Sequence, residues 1–229
     1  MFFINATSAD SPCSDADAFD MVDAQNDFMQ KAFYTYWPSA PRVFTQFVAR
    51  GQPLPAGVAA CRITTTGRNL AVVKLVDKCD VEGAEGYHDE EAGACCGYVA
   101  VEDSLGPHGA VLFDTAAPNT GTPSQTWSHE AFEAVGDLYA NGYSQRPFGR
   151  GTLFAQELCD AVQDGVVPWK APGSGRTVAL SNFILPRWFD PQAKYDPADP
   201  EGTKFDFLGV LRRPFSKTSG KSLLALRCM

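Results

Sequence analysis

The sequence predicts an α+β fold, in which a small mixed sheet packs with a few helices. Short, β-branched apolar runs at residues 70–76 and 177–185 are typical of buried strands. Residues 14–36 and 127–139 instead carry apolar side chains at helical spacing. Because no linker-like segment divides the 229 residues in the middle, we expect one domain over residues 1–229.

The elements are predicted from these patterns and from their flanking residues. Ser14 or Asp15 can cap the first helix, which ends before Trp37-Pro38. Thr126 or Ser128 can cap the second helix, which ends at Asn141-Gly142. Strands are predicted at residues 70–76, 98–101, 110–113 and 177–185, and either a short helix or a strand at residues 42–49 and 153–160. Loops are predicted at residues 51–57, 77–97 and 165–175, where glycine, proline or acidic residues are frequent.

Composition indicates where the protein is located and which classes of partner are disfavoured. The chain is 45% hydrophobic and 20% charged, as in an ordinary globular protein. No apolar run approaches the roughly 20 residues of a membrane-spanning helix, and the first residues lack the features of a signal peptide. We therefore expect a cytoplasmic protein without a membrane partner. The net charge of −8 also disfavours nucleic acid as a partner.

The seven cysteines form an odd set without a CxxC pair, which argues against a disulfide framework and against a zinc ribbon. Adjacent Cys95 and Cys96 could be redox-active, but buried thiols in a reducing compartment are the expected state.

Charge is distributed unevenly between the two ends of the chain. Residues 8–30 contain six aspartates and no Lys or Arg, whereas residues 204–229 are rich in Lys and Arg. The two ends could meet within one chain or between subunits, or they could be two separately solvated surfaces. Residues 1–14 form a candidate N-terminal arm or edge strand, and residues 216–229 a candidate C-terminal arm. Such arms would allow oligomerisation.

The second predicted helix contains an HExxE pattern formed by His129, Glu130 and Glu133. Residues four apart lie on one helix face, so His129 and Glu133 can point at one atom while Glu130 stands beside them. Imidazole and carboxylate groups are metal ligands, and a neighbouring carboxylate can act as general base. The alternative is that these residues form an ordinary solvated face opposite the apolar arc, together with Asp137.

Further candidate residues lie outside this helix. Glu157 and Asp160 compete for the role of a third metal ligand. His88, in the predicted acidic loop, could polarise a substrate carbonyl, or it could be a hydrogen-bonded loop histidine.

These motifs occur in an order that resembles a zincin-like (HExxE, gluzincin-like), metallopeptidase-related family of bacterial and phage-encoded proteins. The matching pieces are Gly86-Tyr87-His88-Asp89, Ser128-His129-Glu130 with Glu133 and Asp137, Glu157-Leu158-Cys159-Asp160, Ser181-Asn182-Phe183, Pro186 with Trp188-Phe189, and Phe205-Asp206 with Leu208-Gly209. They span about two-thirds of the chain.

The resemblance implies a metal-dependent hydrolase that acts on a peptide or protein. In it, His129, Glu133 and Glu157 would bind the metal and Glu130 would be the general base. Zinc is the first expectation, but Glu133 stands where a second histidine is usual, which admits calcium, manganese or no metal. The alternative is a non-enzymatic phage virion protein, a capsid or tail component on a degenerate zincin-like scaffold, with neighbouring virion subunits as partners.

Overall fold

The computed structural model describes residues 1–54, 58–59, 62–63, 71–82, 84–91, 94–136, 143–145, 152–218 and 225–227. The strands are β1 (Phe2–Asn5), β2 (Gln46–Val48), β3 (Val58–Ala59), β4 (Arg62–Ile63), β5 (Ala71–Val76), β6 (Gly86–Glu91), β7 (Ala94–Ala100), β8 (Tyr143–Gln145), β9 (Thr152–Ala155), β10 (Val166–Lys170), β11 (Thr177–Ser181) and β12 (Ala225–Arg227). The α-helices are α1 (Asp15–Phe28), α2 (Tyr34–Tyr36), α3 (Val101–Ser104), α4 (Pro123–Gly136) and α5 (Pro200–Thr203). A π-helical segment (Met29–Phe33) joins α1 to α2, and Asp160–Val162 and Pro186–Phe189 form 3₁₀ turns.

A five-stranded mixed sheet in the order β2-β1-β5-β7-β6 forms one layer of the fold. Its first four strands are parallel, and β6 pairs antiparallel with β7 at the edge. The smaller pieces are the β10–β11 hairpin, the antiparallel set β12-β9-β8 and the β3–β4 pair. The predicted α+β class with a small mixed sheet is therefore confirmed.

The candidate N-terminal arm at residues 1–14 is not an arm. Strand β1 lies inside the sheet, with parallel neighbours on both sides, and Phe3 is completely buried. At the other end, the Thr218 N–H donates to the Ala161 carbonyl at 2.9 Å, and β12 pairs with β9. The described parts of the candidate C-terminal arm, residues 216–218 and 225–227, thus contact the domain, and the rest of that segment lies outside the described residues.

The first predicted helix is confirmed, with Ser14 as its N-cap. The Ser14 hydroxyl accepts from the Asp17 N–H at 3.1 Å, and the Asp17 carboxylate accepts from the Ser14 N–H at 3.0 Å. This reciprocal pair is a capping box, which satisfies two N–H groups that the helix cannot. The helix continues without a break through the π-helical segment to Tyr36.

The aspartates of α1 contact the β10–β11 hairpin. Arg176 pairs with Asp17 and Asp20, and the Trp169 indole N–H donates to Asp27 at 2.9 Å. The cation that pairs with these aspartates comes from the hairpin and not from residues 204–229, so this contact is not the predicted meeting of the two ends. The loop predicted at residues 165–175 is wrong for residues 166–170, which form β10, whereas residues 171–175 lie in the turn of the hairpin.

Two other predictions were also wrong. The acidic stretch at residues 77–97 contains β6 and part of β7, because an edge strand tolerates charged side chains that an interior strand would exclude. Residues 110–113 do not form a strand. There, the Leu112 carbonyl instead accepts from the Ser124 hydroxyl at 2.6 Å and from the Ala179 N–H at 2.6 Å.

Helix α4 lies at the centre of the fold. It contacts β5, β6 and β7 of the main sheet, and also β11 and α1. Its Trp127 ring lies 4.0 Å from Phe3, and its Phe132 ring stacks on Phe33 at 5.3 Å and approaches Phe183 at 5.7 Å. This aromatic packing fixes the rotation of α4 about its axis. None of the helices in the described ranges is long and apolar enough to cross a bilayer.

We expect Phe132→Ala to lower the free energy of unfolding by about 3–5 kcal/mol, because it leaves a cavity among aromatic rings. Phe44→Ala is the matched control, since Phe44 is 67% exposed and its truncation should leave stability nearly unchanged. Denaturant unfolding of both variants measures the difference. Equal losses in the two variants would contradict the central position of Phe132.

Candidate metal-binding site

The polar face of α4 is buried. Glu130 is 4% exposed and Glu133 is 3% exposed, although both are carboxylates. The interpretation of this face as an ordinary solvated surface is therefore wrong. The reason is tertiary, because neighbouring elements cover α4 on both sides.

This face forms one wall of a cleft of about 660 Å³. The opposite walls come from the start of β6, from the loop before α4 and from the segment after β9. The described residues that line the cleft are Glu85, Gly86, Tyr87, Asn119, Thr120, Gly121, Gln125, Thr126, His129, Glu130, Glu133, Glu157, Asp160, Gln163 and Asp164. Five of the predicted site residues therefore meet in one cleft, namely His129, Glu130, Glu133, Glu157 and Asp160.

His129 lies between two carboxylates. Its Nε2 atom is 3.1 Å from Glu133 Oε2 and 3.5 Å from Asp160 Oδ1. The first contact is the predicted pairing of helix residues four apart. The second brings in the segment that follows β9, as the prediction for Asp160 required.

The other oxygen of Glu133 holds that segment in place. Glu133 Oε1 accepts hydrogen bonds from the backbone N–H of Cys159 at 3.1 Å and of Asp160 at 3.3 Å. One carboxylate thus orients the turn through Oε1 and presents Oε2 to His129. These two hydrogen bonds hold Asp160 beside His129.

The carboxylates also set the protonation of His129. Burial alone would lower the pKa of the imidazole, but the charge of Glu133 and a hydrogen bond to Asp160 raise this pKa well above its usual range. A proton on His129 therefore neutralises part of the negative charge. A divalent cation at the same place would do so more completely, and it would have to displace that proton.

Cys159 is a site residue that sequence reasoning missed. Among the described residues, His129, Glu133 and Cys159 form a group whose potential ligand atoms all lie within 4.8 Å of one another. Burial, and after it the charge of Glu133, raise the pKa of the Cys159 thiol well above its usual range. Cys159 could have been predicted from the sequence, because it lies between Glu157 and Asp160 and because thiolates bind zinc well. Glu157, the ligand implied by the resemblance, lines the cleft but is not a member of this group.

Glu130 points towards the edge strand β6. A side chain at Gly86 would begin 3.0 Å from Glu130 Oε1 and 2.7 Å from Thr126 Cγ2. Glycine is thus required for the close approach of β6 to α4. His88 lies on the same strand, paired with Gly97, but its side chain lies outside the described part of the structure.

The remaining pieces of the motif series hold the framework of the site. The Ser128 hydroxyl of α4 accepts from the Ser181 N–H at 2.7 Å, and Asn182 donates to the buried Asp206 at 2.7 Å. Trp188 is buried and its indole N–H donates to the Ser216 carbonyl at 2.8 Å. These residues therefore close the core and do not line the cleft.

Comparison of the chain with protein-family models, with curated proteins and with solved structures found no match. The resemblance to the zincin-like family therefore remains a prediction.

The raised pKa of His129 makes stability depend on pH in the metal-free protein. Because the folded chain holds this proton more tightly than the unfolded chain, the stabilisation is fully present below about pH 6.5 and is lost as pH rises through the folded pKa. Unfolding should be measured with a chelator from about pH 6 to about pH 9 for the wild type and for His129→Gln. We expect their stability difference to shrink as pH rises, and a difference independent of pH would contradict the assigned shift.

The close packing of α4 against Leu158, in the segment after β9, depends on Gly136. A Cβ atom at this position would lie 2.5 Å from Leu158 Cδ1, and Leu158 is itself fully buried. We expect Gly136→Ala to cost about 1–3 kcal/mol of stability by overpacking. In the Leu158→Ala background the same substitution should be nearly neutral, because the clash is gone. Denaturant unfolding of the four proteins measures the coupling, and additive effects would contradict it.

Proposed function

We propose that this protein is a metal-dependent hydrolase, similar to a metallopeptidase, with its reaction centre at His129, Glu133 and Glu130. The observation that carries the proposal is the placement of His129 Nε2 3.1 Å from Glu133 Oε2 inside a 660 Å³ cleft. Buried charged groups are costly unless they are paired. Imidazole and carboxylate groups concentrated on a cleft wall are typical of functional sites.

The donor atoms suit a divalent cation. His129 and Glu133 would supply an imidazole nitrogen and a carboxylate oxygen, and Asp160 Oδ1, 3.5 Å from His129 Nε2, would supply a third ligand. Cys159 is the competing third ligand by distance, and Glu157 is the third ligand that the family resemblance implies. A site with the thiol would favour zinc, whereas a site of oxygens with one histidine also admits manganese or calcium.

A cation bound at these residues would supply Lewis-acid polarisation of a substrate carbonyl. The chain's own part is the proton transfer, for which Glu130 is the proposed general base. Its carboxylate takes a proton from the attacking water and then delivers that proton to the leaving amine, so that the carboxylate is regenerated. Burial of Glu130 beside Gly86 holds it on one side of the cleft and limits its contact with bulk water.

The volume of the cleft lies in the range of about 300–1,000 Å³ that is usual for ligand sites. A short stretch of extended polypeptide fits this space. We therefore propose a peptide or protein as substrate.

The alternative of a non-enzymatic virion protein drew on the family resemblance, on the opposite charges of the two ends and on terminal arms that could reach a neighbouring subunit. Residues 2–5 are committed to the interior of the sheet, so the N-terminal arm no longer supports that alternative. The cleft with its buried HExxE face favours the enzyme.

The test combines metal analysis with a substitution of the base. We expect purified protein to bind about one divalent cation per chain, and Glu130→Gln to lower hydrolysis of an unstructured protein by about 10²-fold or more. Glu102→Gln is the matched control, because Glu102 is exposed and lies outside the cleft. Absence of bound metal, or equal turnover by wild type and Glu130→Gln, would reject the proposal.

A further inference from the structure

The third donor at the proposed centre decides which metal the protein binds. His129 and Glu133 belong to every ligand set, and three residues compete for the next position, namely Glu157, Asp160 and Cys159. The potential ligand atoms of His129, Glu133 and Cys159 all lie within 4.8 Å of one another, and neither Glu157 nor Asp160 belongs to that group. Cys159 is therefore the competitor that needs the least movement to share one metal with both helix residues.

The spacing of these atoms fits the dimensions of a zinc site. With the usual bond lengths and a tetrahedral angle, a nitrogen and an oxygen on one zinc lie about 3.4 Å apart, and a nitrogen and a sulfur about 3.6 Å apart. The observed 3.1 Å between His129 Nε2 and Glu133 Oε2 is close to the first value. Because no pair in the group exceeds 4.8 Å, the Cys159 thiol has to move by about 1.2 Å at most to reach the second.

The surroundings of this thiol differ from those of an inert buried cysteine, which lies among apolar side chains. Cys159 is completely buried, yet its thiol interacts with the carboxylates of Glu133, Asp160 and Glu130. Carboxylates beside a sulfur make a charged thiolate costly unless a cation lies between them. The arrangement is therefore suited to a sulfur that shares a cation with its acidic neighbours.

Hydrogen bonds fix the cysteine from two sides. Its backbone N–H donates to Glu133 Oε1 at 3.1 Å, and its side chain is hydrogen-bonded to the side chain of Ser181. Ser181 is itself attached to α4, because its N–H donates to the Ser128 hydroxyl at 2.7 Å. Outer contacts of this kind orient metal ligands and support their affinity. They also give a role at the site to Ser181, a residue of the motif series.

The charges of the group balance those of one zinc ion. A neutral imidazole, a carboxylate and a thiolate carry two negative charges in total, which one Zn²⁺ neutralises. Neutrality matters here because Glu133 is 3% exposed and Cys159 is 0% exposed, and an uncompensated charge in the interior is strongly destabilising. Three protein ligands leave the fourth position to water, as in catalytic zinc sites.

We propose that Cys159 is the third protein ligand of the centre and that its cofactor is zinc. This inference rests on the proposed function for the centre itself, and it names the metal and the ligand. Thiolates favour zinc, whereas calcium and manganese favour oxygen donors. On binding, His129 and Cys159 release their protons to solvent and the nitrogen and sulfur lone pairs form the bonds to the metal. Glu157 then remains in the cleft wall without a bond to the metal.

The inference is tested by metal binding, without turnover. Co²⁺ replaces zinc in tetrahedral sites, and it gives a charge-transfer absorption in the near ultraviolet when a thiolate is a ligand. Chelator-treated wild-type protein is titrated with Co²⁺, and zinc affinity is measured by competition with a chelating dye. We expect the thiolate absorption to saturate at about one Co²⁺ per chain, and Zn²⁺ but not Ca²⁺ to abolish it.

Variants assign the sulfur. Cys159→Ser should abolish the absorption and weaken zinc binding by about a hundredfold or more. Cys13→Ser is the matched control, because Cys13 is also completely buried but lies outside the ligand group, and it should change neither quantity. Glu157→Gln should keep the thiolate absorption.

A second route covers the case in which Cys159→Ser does not fold. The other six of the seven cysteines are then replaced by serine one at a time. Absorption that survives each replacement is assigned to Cys159, and absorption lost in one of them belongs to that other cysteine and contradicts the inference.

Bound Co²⁺ without the thiolate absorption, or unchanged zinc affinity in Cys159→Ser, would overturn the inference. Failure of the proposed hydrolase is recognised separately. If the absorption depends on Cys159 while Glu130→Gln retains full turnover, the zinc site stands and the hydrolase does not. If metal and Glu130 prove essential but the absorption is absent, only the assignment of Cys159 falls. If the chain binds no divalent cation, both proposals fall.

Discussion

The structure depends on the burial of α4, a helix that carries two carboxylates and an imidazole into the interior. Charged groups removed from water are strongly destabilising unless they find partners. His129 and the turn at Cys159–Asp160 supply those partners for Glu133, through contacts of 3.1–3.3 Å to both carboxylate oxygens. The turn after β9 is therefore positioned by the same carboxylate that faces the proposed centre. Glu133 thus contributes both to the fold and to the proposed site.

This arrangement links the charge of the site to the protonation of His129. Glu133 and Asp160 raise the pKa of this imidazole, and a proton there offsets part of the local negative charge. A metal ion at the proposed site would compete for the same carboxylate oxygens and the same imidazole nitrogen. Metal affinity would then be coupled to pH through His129. The thiol of Cys159, within 4.8 Å of the same atoms, would be an additional ligand that favours zinc.

The acidic residues of this protein fall into two groups with different physical roles. The aspartates of α1 are paired with Arg176 of the hairpin and with the Trp169 indole, so they connect two elements of the fold. In the cleft, Glu133 and Asp160 instead flank His129, at 3.1 Å and 3.5 Å from its Nε2 atom. The first group connects elements of the fold, and the second raises the pKa of a histidine in the cleft. The net charge of −8 does not distinguish these roles, because it counts both groups equally.

The amino-acid sequence by itself determined the α+β class, the first helix with its Ser14 cap, the buried strand at β5 and the residues of the HExxE pattern. These depend on local signals, namely periodicity, capping and the spacing of residues on one helix. The tertiary structure alone decided that β1 lies inside the sheet, that residues 166–170 form a strand, and that the polar face of α4 is buried. Each of these depends on pairing or covering by segments distant in the chain, and a segment's own pattern does not record its partner. The same reason applies within the site. The contact of His129 with Glu133 could be predicted, because it follows from a four-residue spacing on one helix. The positions of Cys159 and Asp160 could not, because Glu133 binds their backbone across 26 and 27 residues of the chain.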